Sequence, residues 1–294
     1  MIVKFAILGG DHRFKILCKL LAAEGHQVWA YALDQAQLPT AMCTTSIEEA
    51  VEQAGCVILP LPLSCNGVDL NAPLSEHTQP LATLFPLLPK TALICAGRVE
   101  PWAADLAAQS GIQIQDYLLR EEFAIYNAVA TAEGAVELMM KHTPITLWNS
   151  RVLVVGFGRI GKVLAHRLHG MGADVTISAR NCADRAWGAA YGYHVLDTNR
   201  LEGQLSDFQI VVNTVPAPVL GESRLAELHA DTLCMDLASR PGGMDFDAAS
   251  RLGVRALWAL SLPGEVAPQS AGAAIRDTVC NMMEEQGKGR QWKN

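Results

Sequence analysis

Residues 152–161 constrain this chain more than any other stretch. A short apolar run, Val152–Val155, leads into Gly156-Phe157-Gly158-Arg159-Ile160-Gly161, and apolar residues at helical spacing follow over 160–171. A second run, Asp174–Ser178, comes at the distance expected of the next parallel strand. GxGxxG alone is common, but between a strand and a helix it predicts a dinucleotide-binding turn. The first glycine makes the tight turn, the second lets the backbone approach a pyrophosphate, and the third lets helix and strand pack closely. The helix N-terminus offers free N–H groups and a partial positive charge. Gly156, Gly158, Arg159, Ile160 and Gly161 are the expected cofactor-binding residues.

The end of the second strand speaks to which dinucleotide. An NAD enzyme places Asp or Glu there for the ribose 2′-hydroxyl. Here the residues are Ile177-Ser178-Ala179-Arg180-Asn181, with no acid. Arg180 can pair with a 2′-phosphate through charge-assisted hydrogen bonds, and Ser178 and Asn181 add neutral donors. NADP is the expected cofactor. Asn213-Thr214-Val215-Pro216 and Asp236–Gly243 end two further apolar runs, where a parallel sheet presents its ligand edge. Thr214 and Pro216 join the expected cofactor residues.

Around this unit, apolar runs alternate with helical patterns along the whole chain. Strands are expected at Val3–Leu8, Gln27–Leu33, Cys56–Leu61, Thr91–Cys95, Ile210–Asn213, Leu233–Asp236 and Val254–Leu257. Helices are expected at Phe14–Glu24, Ser46–Gln53 with Ser46 as N-cap, Thr131–His142 with Thr131 as N-cap, and Ala271–Glu285. The stretch Pro60–Pro89, with six prolines, reads as a long ordered excursion from a strand end. The expected architecture is α/β: two Rossmann-like doubly wound parallel-sheet domains with an interdomain cleft. Residues 1–142 form the substrate-side domain, because Gly9-Gly10-Asp11 lacks the third glycine and the spacing of a dinucleotide turn. Residues 143–270 form the NADP-binding domain, and a C-terminal helix in 271–294 packs back on the first.

Composition narrows the function classes. The chain has 294 residues, half of them hydrophobic, with a net charge of −7, which gives no basic surface for nucleic acid. No apolar stretch is long enough to span a membrane, and the first residues lack the basic start and cleavage site of a signal peptide. The eight cysteines are scattered with no CxxC and no zinc spacing, which suits reduced, mostly buried thiols of a cytoplasmic protein and no metal site.

The motifs together resemble a family, the A subunit of dipicolinate synthase from spore-forming bacteria. The resemblance runs nearly end to end. It is carried by Gly9-Gly10-Asp11-x-Arg13, Pro60-Leu61-Pro62-x-Ser64 with Asn71-Ala72-Pro73-Leu74, and Thr131-Ala132-Glu133-Gly134-Ala135. Gly156–Gly161, Ala179-Arg180 and Asn213–Pro216 continue it. Asp236–Gly243 with Asp245-Phe246, and Leu262-Pro263-Gly264-x-x-Ala267-Pro268, are its most specific segments. Leu260-Ser261 departs from the Pro-Gly expected before Leu262. The resemblance implies oxidation of a dihydrodipicolinate-type cyclic dicarboxylate to dipicolinate with NADP⁺. It also implies that the partner is a flavoprotein-like B subunit, and a place in the cytoplasm of the mother cell during sporulation. A homo-oligomer is expected.

Aromatising a dihydropyridine removes a hydride and a proton, and the protein must hold a dianion beside the nicotinamide. Asp11, Arg13 and Arg240 are the expected catalytic residues, with Asp11 either a base or the group that orients Arg13. Ser64, Asn66, Asn71, Arg98 and Ser239 are the expected substrate-binding residues. Arg98 or Arg120 would take the role if Arg13 and Arg240 lay out of reach of the nicotinamide. Among the histidines, only His12 and His77 lie near the expected site, and His26, His142, His166, His169, His194 and His229 are expected to be solvated. Two other readings compete. A two-domain 2-hydroxyacid dehydrogenase would need a catalytic His late in the chain, and none follows His229. A non-enzymatic NADP-binding sensor or partner module would show no turnover.

Overall fold

Each central strand buries alternate residues on opposite faces, so one apolar run feeds two cores. In β1 (Lys4–Leu8), Phe5 and Ile7 face one way and Ala6 and Leu8 the other. In β6 (Arg151–Val155), Val152 and Val154 oppose Leu153 and Val155 in the same manner. The architecture is that of a computed structural model, which describes residues 2–39 and 42–287. The chain divides into Met1–Tyr126 with Ala267–Asn294, and Asn127–Val266.

The first unit holds β1, α1 (His12–Ala23), β2 (Gln27–Tyr31), α2 (Ile47–Val51), β3 (Cys56–Ile58), α3 (Leu81–Leu84), β4 (Leu93–Ala96), α4 (Pro101–Gln109) and β5 (Ile114–Asp116). Its sheet is parallel, in the order β2-β1-β3-β4-β5, and the strand order reverses between β1 and β3. The long helix α5 (Glu121–His142) carries the chain into the second unit. That unit contains β6, α6 (Arg159–Gly170), β7 (Asp174–Ala179), α7 (Cys182–Ala190), β8 (His194–Asp197), β9 (Ile210–Asn213), α8 (Glu222–Leu225), β10 (Leu233–Asp236), α9 (Phe246–Leu252), β11 (Arg255–Trp258) and α10 (Leu262–Val266). Its six parallel strands run β8-β7-β6-β9-β10-β11, and the order reverses between β6 and β9. The last helix, α11 (Pro268–Glu285), returns to the first unit and lies along α1, with Ile275, Val279, Met282 and Met283 in the core around Phe5 and Phe14.

Several boundaries differ from the sequence expectation. Thr131 is not an N-cap. It lies inside α5, and its hydroxyl donates to the Asn127 carbonyl at 2.8 Å. The units accordingly divide within α5 and at 266/267 rather than at 142/143 and 270/271, and residues 288–294 of the expected C-terminal segment lie outside the described residues. β3 stops at Ile58, because prolines at 60 and 62 cannot donate to a ladder. Strands β5 and β8 have no counterpart in the sequence expectation. Both are short edges with half-buried, partly polar residues, so they lack the apolar run that marks a central strand. Among the described residues, no helix is long and apolar enough to cross a membrane.

Candidate functional site

Strand β6 feeds the turn at the point where the strand order reverses, the place where open α/β sheets bind ligands. Gly156 has φ +96°, a conformation that L side chains rarely adopt, and a Cβ there would lie 2.5 Å from Thr214 Oγ1. Thr214 is fixed from below, since its hydroxyl and its N–H both donate to the Val155 carbonyl, at 3.0 and 2.9 Å. A Cβ at Gly161 would collide with the Gly156 carbonyl oxygen, so α6 can approach the turn only with glycine there. Gly158, the N-cap of α6, differs from both. It has no side chain to cap the helix, and a Cβ added there would meet nothing within 4 Å. The helix therefore opens on free space with its first N–H groups lacking a side-chain cap. Arg159 is exposed and Ile160 half-buried at the same end.

At the end of β7, the expected donors separate into structural and available groups. Ser178 is fully buried, and its hydroxyl accepts a hydrogen bond from Thr198 at 3.1 Å. Asn181 caps α7. Its Oδ1 accepts from the Asp184 N–H at 2.6 Å and its Nδ2 donates to the Asp184 carboxylate at 2.6 Å. Arg180, between Ser178 and Asn181, is exposed, and its guanidinium has no hydrogen-bond or ion-pair partner among the described residues.

Asp236, at the end of β10, organises the loop that follows. One oxygen accepts from Asn213 Nδ2 at 2.7 Å and the Ala238 N–H at 2.9 Å. The other accepts from the N–H groups of Gly243 at 2.7 Å and Met244 at 3.1 Å. Both Asp236 and Asn213 are completely buried. The loop so held displays Ser239 and Arg240 on the surface, with the Arg240 guanidinium 5.6 Å above the ring of Trp258. Trp258 is itself fixed, stacking on Phe246 and donating its Nε1–H to the Ala238 carbonyl at 3.0 Å. Pro216 is exposed on the neighbouring loop after β9.

The first unit uses its corresponding turn differently. Asp11 caps α1 by accepting from the Arg13 N–H at 3.0 Å, and it also accepts from Arg13 Nε (2.9 Å) and Nη2 (2.7 Å). Nη2 donates as well to the Leu61 carbonyl at 2.5 Å. Asp11 thus orients Arg13, and the buried guanidinium keeps only Nη1 for anything else among the described residues. The Gly10 N–H is taken by the Asn71 carbonyl at 2.9 Å, and a Cβ at Gly9 would lie 2.9 Å from Leu70. Asn71 therefore occupies, with its carbonyl, one of the N–H groups that this turn could offer a ligand. Ser64 and Asn66 build a tight loop. Asn66 Oδ1 accepts from the N–H groups of Val68 and Asp69, and Ser64 Oγ accepts from the Gly67 N–H. Asn71 Nδ2 donates to the Pro62 carbonyl at 3.1 Å. Arg98 is exposed and paired with Glu100 at 3.1 Å, and Arg120 grips Glu122 and Glu285. His12 and His77 are exposed. His26 is not solvated. Its ring lies 5.3 Å from that of Phe5, and burial pushes its pKa down.

Sequence reasoning misses Arg185, which donates to the carbonyls of both Ala179 and Arg180, and it gives Asp236 no individual role. An arginine inside a helix and an acid at a strand end are too common to stand out.

Residues 4–118 match the family described as the N-terminal domain of the dipicolinate synthase A subunit. Residues 118–232 match the D-isomer specific 2-hydroxyacid dehydrogenase NAD binding domain. The chain is 31% identical over 286 residues to the A subunit of dipicolinate synthase from Bacillus subtilis, covering 96% of each. It is similar to the solved structure of the A chain of that synthase, with a TM-score of 0.88, 30% identity and 98% of both chains covered. The A subunit of dipicolinate synthase from Bacillus halodurans is similar too, at a TM-score of 0.88 and 27% identity, covering 96% of this chain and 99% of that one. A transhydrogenase from Sinorhizobium meliloti, 16% identical with a TM-score of 0.69 over 96% of this chain and 94% of that one, shares the fold.

Proposed function

The chain belongs to the family of dipicolinate synthase A subunits, and we propose that this oxidoreductase aromatises a dihydrodipicolinate-type cyclic dicarboxylate with NADP⁺ as hydride acceptor. The observation that carries the cofactor part is the open, uncapped start of α6 at Gly158, where a pyrophosphate can reach backbone N–H groups without displacing any side chain. Gly156 and Gly161 keep that turn tight. Arg180, free at the end of the adjacent strand, is the group for a 2′-phosphate, and no carboxylate stands in its place.

When bound, the nicotinamide supplies the hydride acceptor, and the protein's part is binding and orientation. Arg240, presented by the loop that Asp236 fastens, is proposed to pair with a substrate carboxylate. In the first unit, Asp11 holds Arg13, whose remaining Nη1 is the proposed donor to a carboxylate. Ser239, next to Arg240 in sequence, and Asn71, bonded to the turn that carries Asp11, are the neutral candidates. His12, between Asp11 and Arg13 in sequence, is exposed, and the proton lost on aromatisation is proposed to pass to water. The proposed partner is a flavoprotein-like B subunit.

The test is to follow NADPH formation on adding 4-hydroxy-tetrahydrodipicolinate, which gives the dihydro compound on loss of water, to the purified chain, with and without the B subunit. Dipicolinate should form with stoichiometric NADPH. Turnover of D-2-hydroxy acids instead, or binding of NADP⁺ with no turnover under either condition, would overturn the assignment.

A further inference from the structure

We propose that Arg185 is a specificity-determining positioning residue, which makes Arg180 an effective anchor for a 2′-phosphate without touching the phosphate itself. The inference rests on Arg180 being the group that meets that phosphate. Arg185 sits on the first turns of α7, and its Nη1 donates to two successive carbonyls, those of Ala179 at 3.0 Å and Arg180 at 2.7 Å. Its Nη2 reaches Cys182 Sγ at 3.2 Å. One guanidinium thus ties the end of β7, the loop residue and the start of α7 into a single piece. Asn181, capping α7, and the Ser178–Thr198 hydroxyl pair hold the loop from either side. The Arg180 backbone is fixed before a ligand arrives, so its side chain always leaves the chain from the same point, and less order remains to be imposed on binding.

Arg185 has a second effect, through charge. Asp197 ends β8, is the register partner of Ala179, and its carboxylate lies 3.3 Å from Arg185 Nη1. A bare carboxylate one residue from Arg180 on the neighbouring strand would repel a 2′-phosphate and favour the 2′-hydroxyl of NAD. Arg185 is the counter-charge that cancels it. Its two Nη1 hydrogens are taken by the two carbonyls, and it meets Asp197 as an ion pair.

Dissociation constants for NADP⁺ and NAD⁺ on the full-length chain, with R180A, R185Q and the double variant, test this. R185Q should weaken NADP⁺ about tenfold while NAD⁺ stays within about twofold, the loss expected for one charge-assisted hydrogen bond made poorly. In the R180A background, R185Q should add less than about twofold, since the two residues act through one contact. Retained NAD⁺ affinity and an unchanged melting temperature report that the variant is folded. If R185Q does not fold, R185K serves, because lysine keeps the charge but lacks the planar fork that holds the two carbonyls and Cys182 Sγ together, and it should lower the NADP⁺ to NAD⁺ preference about threefold. An unchanged preference in R185Q while R180A abolishes it overturns the role of Arg185 and leaves that of Arg180 standing. So does an equal loss in the wild-type and R180A backgrounds, which would mean that Arg185 meets the phosphate directly. If R180A itself leaves the preference intact, the reading of Arg180 fails and the inference falls with it.

Discussion

A methyl group at position 158 would project into open space, whereas one at 161 would strike the Gly156 carbonyl. The two substitutions should therefore fail in different ways. Gly158→Val is expected to keep the melting temperature near that of the parent and to lose NADP⁺ binding, because the new side chain occupies the path of the pyrophosphate. Gly161→Ala is expected to lower stability by about 1–3 kcal/mol, the usual cost of forcing atoms into a packed site. Calorimetric titration and thermal melts separate the two, and normal NADP⁺ binding by Gly158→Val would move the cofactor elsewhere. Asp236 gives a second prediction. Asp236→Asn replaces one acceptor oxygen by a donor facing either Asn213 Nδ2 and the Ala238 N–H or the N–H groups of Gly243 and Met244. Each buried group left unmade costs about 1–3 kcal/mol, which urea unfolding would detect. The loop carrying Arg240 should loosen too, raising KM for the dicarboxylate more than KM for NADP⁺. The glycines are legible in the sequence because their spacing alone encodes the turn. The roles of Ser178 and Asn181 are not, since the direction of a hydroxyl or an amide is set by partners such as Thr198, which pairs with Ser178 from a different strand end.

Helix α11 is held at both ends, and each end makes a prediction at the scale of elements. Near its start, a Cβ at Gly272 would lie 2.8 Å from the Arg13 carbonyl and 3.0 Å from Ile16 Cβ, so α1 and α11 meet almost backbone to backbone. Gly272→Val should push the helices apart and destabilise the first unit, which loss of helical signal at lower urea would show. At its end, Glu285 receives Arg120 in a two-pronged pair at 2.6 and 2.7 Å. The hydrogen bonds from Arg120 pull the carboxyls of Glu285 and Glu122 below their ordinary range. A carboxylate whose pKa is depressed by folding contributes stability above its unfolded pKa and loses it as the pH falls through the folded one. Arg120→Met should therefore lower the melting temperature slightly at about pH 7, with the difference fading below about pH 4. A constant difference across that range would show that the pair is not the cause. Central strands such as β1, β6, β9 and β10 are legible, because burial on both faces demands an uninterrupted apolar run. The edges β5 and β8 are hidden by Gln115, Asp116 and His194, which an edge strand tolerates. The true start of α5 is hidden because Thr131 resembles a cap, while Glu121 and Glu122, the acidic residues of its real first turn, precede a pattern with no sharp break.

Across the whole molecule, two parallel sheets of related winding carry turns of opposite character. In the second unit the strand-order reversal at β6 and β9 leads to an open helix start. In the first, the reversal at β1 and β3 leads to a helix already capped by Asp11, with the Gly10 N–H on the Asn71 carbonyl. The same topology thus binds a dinucleotide only where the loop after the first strand leaves its N–H groups open, and the first unit's loops are committed to their own shape. The full-length chain should therefore bind one NADP⁺ and not two. Isothermal titration should give a stoichiometry of one per chain. Hydrogen exchange at about 100 times the dissociation constant, where linkage is worth about 2.7 kcal/mol, should slow at residues 156–161, 179–185 and 214–216. Gly9, Gly10 and Arg13 should exchange as they do without cofactor, because their N–H groups already have protein acceptors. A stoichiometry of two, or protection of these three by NADP⁺ alone, would mean that the Asn71 loop yields to a second dinucleotide and that the first unit is not closed by its own chain.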